Sequence, residues 1–418
     1  MTATIASWIT AARALALDDA AVATTTLLQA AGIEVLLIKG PLTAARLYAE
    51  APDARNYCDV DLLVAPDRFA DAQAALARGD FTPGRPGVRP SEQNEREVTW
   101  YFPGSARLAI DLHRSLAWVG DPPVLWSRLW RDRTTMVLQG TDLQVPDAAG
   151  SALIIGLHAS RPGNTRKPMH DLARAATTFD DVVWRRAIDT ARECDAITGL
   201  VLGLDAVPEA RPLLARFDLP TTAPTAMRLH AYGTSPAGMA LGRLLEVRGP
   251  QARIRHLLDR VVPSVAHMHT SWPASSSGPI GLLRAHAQRW SRLARTLPRG
   301  LAELAHARKG GSAGRDYWTV DSLIAVRAQV EARGLEQIRP IRPPNRAVTE
   351  SSMETILQRQ GASCLERSLV RQQFHLAKGQ QRALIIGFAP STEAFRAHAW
   401  LSGDVEDKDE NYLILHRA

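Results

Sequence analysis

The run Lys309-Gly310-Gly311-Ser312-Ala313-Gly314 constrains this chain more than any other stretch. Small residues between two helical patterns offer no packing surface and form a flexible joint, so the segments on either side must build separate cores. At 418 residues the chain is long enough for two or three such cores, on a prior of roughly 150 residues each. We divide it into a sheet-bearing part (1–148), a helical part (149–308), a linker (309–315) and a C-terminal domain (316–418). The expected class is α+β: a mixed sheet with a helical bundle, then a small second α+β domain.

Hydrophobic residues make up 45% of the chain and charged residues 22%, a balance that suits packed cores rather than disorder. Cys58, Cys194 and Cys364 are odd in number, widely separated and without metal-ligand spacing, which argues against a disulfide framework or a zinc site. The first forty residues lack a basic leader, carry Asp18 and Asp19, and read as an amphipathic helix running into a strand. No apolar run reaches the length of a membrane span. A reducing cytoplasmic location is therefore expected, which keeps a nucleophilic thiol usable. The net charge of +7 is concentrated: 13 basic and 3 acidic residues lie between Thr221 and Gly310. Such a segment can attract nucleic acid, a polyphosphate or an acidic peptide, or else simply solvates helix faces bearing Arg253, Arg255, Arg292 and Arg295.

Glu34 to Ile38 is a short apolar strand that ends at Lys39-Gly40-Pro41, and Leu42 to Tyr48 follows as a helix. Val60–Val64 and Leu108–Leu112 read as further strands, and Ala149 to Leu304 is almost continuously helical in period. Asp59 and Asp61 stand two apart on a strand, so alternation turns both carboxylates to one face. With Asp111 they can form a three-carboxylate site for divalent cations on a nucleoside triphosphate.

Leu37-Ile-Lys-Gly-Pro-Leu42, Leu47-Tyr48, Arg55, Asp59-Val-Asp-Leu-Leu-Val64 and Asp111-Leu-His113 together resemble an uncharacterised nucleotidyltransferase family of the polymerase-beta superfamily. The resemblance extends to about Ala307. It implies Asp59, Asp61 and Asp111 as Mg²⁺ ligands, with Lys39, Gly40 and Arg55 at the triphosphate. His113, His158 and Asp171 also belong to it. Lys39-Gly40 stands where most of the superfamily has Gly-Ser.

Cys364 follows Gly361-Ala-Ser363 and opens a helix-like stretch, so its thiol is expected at a helix N-terminus. There the positive end of the macrodipole favours thiolate, and free N–H groups can serve an oxyanion. Two strands follow, Ala383–Phe388 and Phe395–Leu401, the second placing Arg396, His398 and Trp400 on one face. A helix bearing Cys, then strands bearing His and a polar orienter, is the papain/transglutaminase order of elements.

Cys364-Leu-Glu-Arg-Ser-Leu369, Ile385-Ile-Gly387 and Phe395-Arg-Ala-His-Ala-Trp-Leu401 resemble the transglutaminase-like leader peptidase of lasso-peptide (microcin-type) biosynthesis, over about Asp316 to Ala418. The resemblance implies Cys364 and His398 as a catalytic pair, no cofactor for that domain, and Asp409 as the third member, with Glu410 and Asn411 as alternatives. The implied partners are a precursor peptide, a separate winged-helix recognition protein and the cyclase. Membrane and nucleic acid are not among them. The competing readings are a nucleotidyltransferase with a vestigial peptidase domain and an inactive scaffold.

Overall fold

The computed structural model describes residues 2–50, 55–88, 96–105, 108–161, 166–220, 224–232, 236–247, 249–261, 263–308, 317–333, 350–359, 362–389, 396–404 and 413–417. Helix α1 (Thr2–Ala30) leads into β1 (Val35–Leu37), and α2 (Pro41–Leu47) follows directly. Next come β2 (Asp59–Val64), α3 (Phe69–Arg78), β3 (Thr82–Pro83), β4 (Glu97–Tyr101) and β5 (Ala109–His113). The five strands form one mixed sheet in the order β1-β2-β5-β4-β3, with β2 and β5 parallel and the other pairs antiparallel. Helix α4 (Pro122–Arg131) and the hairpin β6 (Thr134–Leu138)–β7 (Thr141–Val145) complete this part.

Strand alternation gives the sheet two different faces. Val60, Leu62, Val64, Ile110, Leu112 and Trp100 point into a core with α1 and α3 residues such as Leu17, Leu28 and Leu76. On the opposite face Leu36 and Leu63 join a second core, built mainly from α5 (Ala148–Ala159), α6 (Arg166–Thr178), α7 (Asp181–Glu193) and α8 (Ile197–Ala206). That same face carries the polar residues of β2, β4 and β5. Helix α5 is apolar nearly all round and correspondingly buried, and Gly203 of α8 lies directly on the Gly156 carbonyl, where a larger residue would hold the two backbones apart. Aspartates start the helices: Asp121, Asp147 and Asp180 accept from the N–H groups of Val124, Gly150 and Val183.

The chain continues through α9 (Pro212–Arg216), α10 (Thr225–Tyr232), α11 (Pro236–Glu246), α12 (Pro250–Val261), α13 (Val265–Ser271) and α14 (Gly278–Arg308). A 3₁₀ turn, Pro273–Ser276, separates α13 from α14, and α14 runs through Pro298 without ending. Arg253, Arg255, Arg292 and Arg295 are all exposed on these helices. The linker 309–315 lies outside the described residues.

The C-terminal part forms a third core. Helices α15 (Tyr317–Arg333), α16 (Glu350–Arg359) and α17 (Cys364–Leu376) pack against a three-stranded antiparallel sheet in the order β10 (Leu413–Arg417), β8 (Leu384–Ala389), β9 (Arg396–Leu401). Leu323, Val326, Met353, Leu357, Leu369, Val370, Phe374, Leu384 and Leu401 fill it. The chain is thus α+β throughout, as the residue patterns imply. Among the described residues no helix is long and apolar enough to cross a membrane.

Candidate functional site

The polar face of the first sheet gathers its charges by register. Asp61 pairs across the parallel ladder with Asp111, Leu63 with His113, and on the next strand Thr99 faces Asp111 while Glu97 faces His113. Carboxylate oxygens of Asp61 and Asp111 and a ring nitrogen of His113 all lie within 4.8 Å of one another. His113 Nε2 is 3.0 Å from Asp61 Oδ1, and its Nδ1 is 3.2 Å from Glu97 Oε2. Arg161 in turn donates to both Glu97 oxygens, at 2.6 and 3.2 Å.

Lys39, carried just past β1, places Nζ 2.5 Å from Asp61 Oδ1 in buried surroundings. Burial alone would discourage ionisation of Asp61, but the Lys39 ammonium and His113 outweigh it and hold the carboxyl well below its usual range. Asp111 is shifted the other way: burial raises it, the 2.6 Å hydrogen bond from Thr99 opposes this, and the Asp61 charge raises it further. His158 on α5 is kept neutral by burial and by the nearby Lys39 charge. It lines a small recess with Lys39, Glu97, His113 and Arg161.

Arg55 is occupied elsewhere. Its guanidinium makes a bidentate pair with Asp171, 2.7 Å on each arm, and Tyr48 also donates to that carboxylate at 2.9 Å. Gly40 caps α2 with φ of 60°, a backbone shape that glycine adopts without strain. Asp59 opens β2 opposite Ala109 and stands outside the Asp61/Asp111/His113 group, nearer Lys167. The expected phosphate contacts Lys39 and Arg55 are thus both engaged with carboxylates, and of the three expected cation ligands two come together with a histidine. Two carboxylates and an imidazole suit one divalent cation, which would supply charge neutralisation and polarise a phosphoryl oxygen.

In the C-terminal part Cys364 is the first residue of α17, half-buried. Ser363 caps the helix through a capping box: its Oγ accepts from Glu366 N–H at 3.2 Å, and Glu366 reaches back to Ser363 N–H at 2.6 Å. Arg327 of α15 neutralises Glu366 from 2.6 Å. The box engages the third N–H of the helix, so the amides of Cys364 and Leu365 remain as the donors of the first turn.

Ser368, one turn beyond Cys364, donates to the Ala399 carbonyl at 2.9 Å. Further along, Arg371 holds Asp404 at the end of β9 through two bonds of 2.8 and 3.0 Å. Helix and strand therefore run side by side in the same direction, and the Cys364 end of α17 falls toward the His398 half of β9. His398 stacks on Trp400, with ring centroids 5.8 Å apart. It pairs across the sheet with Gly387, where a Cβ would come within 2.7 Å of the Trp400 ring. Asp409, Glu410 and Asn411 lie outside the described residues. The other thiols differ: Cys58 is exposed at the mouth of β2, and burial pushes Cys194 up to about 12, which leaves it inert.

Residues 6–210 match the model of a family described as uncharacterised nucleotidyltransferase, and residues 314–412 match that of the transglutaminase-like superfamily. The chain therefore carries an N-terminal nucleotidyltransferase-like domain and a C-terminal transglutaminase-like domain. No curated protein matches it.

Sequence reasoning overlooked Glu97, Thr99 and Arg161. The first two lie on β4, which was not read as a strand, although Val98 and Trp100 alternate with them in the required pattern. Arg161 follows the last turn of α5, and nothing local links it to a strand 64 residues away.

Proposed function

We propose that this protein is a maturation enzyme for ribosomally made peptides of the lasso type, whose C-terminal domain removes the leader from the precursor. The observation that supports this best is the seat of Cys364: a thiol at the first position of a capped helix, with that helix pinned by Ser368 to the strand that carries His398. Cys364 attacks the carbonyl at the leader–core junction, and the amides of Cys364 and Leu365 face the oxygen that gains charge. His398 passes a proton to the departing amine of the core. The leader remains as a thioester until water, deprotonated by the same histidine, releases it. Asp409 orients His398 in this scheme, with Glu410 and Asn411 as the alternatives.

The N-terminal domain acts in the same scheme as a cation-dependent nucleotide-binding or nucleotidyl-transferring partner, with a nucleoside triphosphate as its ligand. Its residues would position groups: Lys39 and Arg55, paired with Asp61 and Asp171, would turn to the phosphates, and Asp61 and Asp111 would hold a metal ion that neutralises phosphate charge. A reading in which nucleotidyl transfer is the main activity draws on the Asp61/Asp111/His113 group. Its acceptor would be a peptide, a small molecule or RNA.

The partners are the precursor peptide, a separate winged-helix recognition protein and the cyclase. The test is to incubate the full chain with a lasso-type precursor and its recognition protein and to follow the peptide mass. Release of leader and core, lost in Cys364→Ala, is the expected result. Undiminished cleavage by Cys364→Ala would overturn it, and a peptide gaining a nucleotide mass without cleavage would favour the second reading.

A further inference from the structure

Helix α14 is apolar over more of its circumference than the protein covers. Its buried stripe includes Ala285, Gly300 and Leu304, and Gly300 lies against Ala237 of α11, where a Cβ would come within 2.8 Å. A second apolar stripe faces outward. Ile280, Leu283, Trp290, Leu297 and Leu301 are between 40% and 78% exposed, and Ala287 and Ala294, also exposed, fall between them. These seven positions advance by alternate steps of three and four residues, the spacing that keeps side chains in one seam along a helix. No residue of the seam belongs to either candidate site. We infer that it is a docking face for an acidic amphipathic helix of a second protein.

Two observations name the occupant. The first is the shape of the stripe. At 100° per residue the seven positions lie within an arc of about 100°, the width of a contact with one facing helix. A helix that lies on a lipid surface sinks a broader apolar face between its charged edges. Small Ala287 and Ala294 alternate with large neighbours, which leaves holes that a partner's leucines can enter. Leu293 adjoins the seam on the side toward the bundle, and arginines border the other edge.

The second is charge. From Gly278 to Ala302 the helix carries five arginines and no Asp or Glu. Arg284 and Arg295, both exposed and three turns apart, share the outer edge of the seam. The wider segment from Thr221 to Gly310 has 13 basic and 3 acidic residues. A second copy of this chain would set one strongly basic segment against another and gain no opposite charge along the seam. Nucleic acid would engage the arginines but leave the apolar seam in water. A helix with Asp or Glu beside its apolar stripe satisfies both features.

The test measures binding of labelled synthetic helical peptides, about three heptads long with Leu at the seam positions, to the full chain by fluorescence anisotropy. One peptide carries Glu at the flanking positions, a second carries Lys there, and a third is a scramble of the first. The expected result is that the Glu peptide binds at least about tenfold more tightly than either of the others. Leu283→Gln combined with Leu301→Gln should lower its affinity by a similar factor and leave thermal unfolding unchanged, because both side chains are exposed. Arg284→Glu combined with Arg295→Glu should abolish the preference for Glu over Lys. Equal binding of the Glu peptide and its scramble would reduce the face to general charge attraction and overturn the inference. Failure of all three peptides to bind would overturn it too. So would a Glu peptide that does not bind while the same two leucines are needed for self-association in sedimentation, or for binding to phosphatidylglycerol vesicles.

Discussion

The two candidate sites place their reactive groups in opposite surroundings. In the N-terminal domain Lys39, Asp61, His113, Glu97 and Arg161 form a continuous chain of contacts on one sheet face, with Lys39 beside Asp61 and Arg161 beside Glu97. In the C-terminal domain the largest charge cluster stands away from the thiol. Arg371, Arg382 and Asp404 lock the far end of α17 to β9, while Cys364 occupies the other end, packed against the core beside its capping box and the Arg327–Glu366 pair. The contrast separates two uses of charge. A cation site needs buried anions, and their cost is offset by positive neighbours until an ion arrives. A thiol site needs a rigid frame and a free helix end, so its largest ion-pair cluster serves as a distant clamp.

The largest expected effect concerns the second site. His398→Ala should lower leader cleavage by roughly 10⁴-fold or more, and combining it with Cys364→Ala should add almost nothing, because nucleophile and base act as a unit. Single-turnover rates would check this; additive losses would break the pairing of the two residues.

Asp61→Asn should act mainly on the first site. It leaves Lys39 and His113 without their shared carboxylate, and breaking a buried pair costs about 3–5 kcal/mol. Denaturant unfolding should show that loss in the N-terminal transition alone. An equal shift of the C-terminal transition would mean that the two cores are coupled.

Gly387→Ala should be milder. The added Cβ meets the Trp400 ring at 2.7 Å, and overpacking of this kind costs about 1–3 kcal/mol. Since Trp400 supports His398, cleavage should fall by more than the loss of folded protein explains, which compares kcat with the folded fraction.

The smallest effect concerns acid. Burial alone would raise Asp404, but Arg371, the Leu401 N–H and Arg382 hold it at about 2, below its unfolded value. Its contribution to stability is therefore complete above about pH 4 and fades as pH falls toward 2. Asp404→Asn should flatten that part of the acid unfolding curve of the C-terminal domain.

Much of this was legible in the chain. The Asp59-Val-Asp61 alternation places both carboxylates on one sheet face, and the Ser363-Cys364-Leu-Glu366 run announces a capping box with the thiol at the first helical position. What escaped depends on pairings between distant segments. Whether Asp59 or His113 completes the cation group is decided by the parallel register of β2 on β5, which no local pattern encodes. Lys39, which the resemblance implies as a phosphate contact, finds a carboxylate partner 22 residues away on the adjacent strand, a pairing that no local pattern encodes. Arg55 similarly finds Asp171 across 116 residues, a pairing that depends on how α6 packs.

The measurement closest to the centre of the account is a search for the covalent intermediate. Precursor, recognition protein and the full chain would be mixed, quenched in acid within one turnover, and the intact protein weighed and mapped. The account predicts a transient gain equal to the leader minus one water, located on Cys364 and released on longer incubation. Cleavage that proceeds with no adduct at Cys364, and that persists in Cys364→Ala, would contradict it.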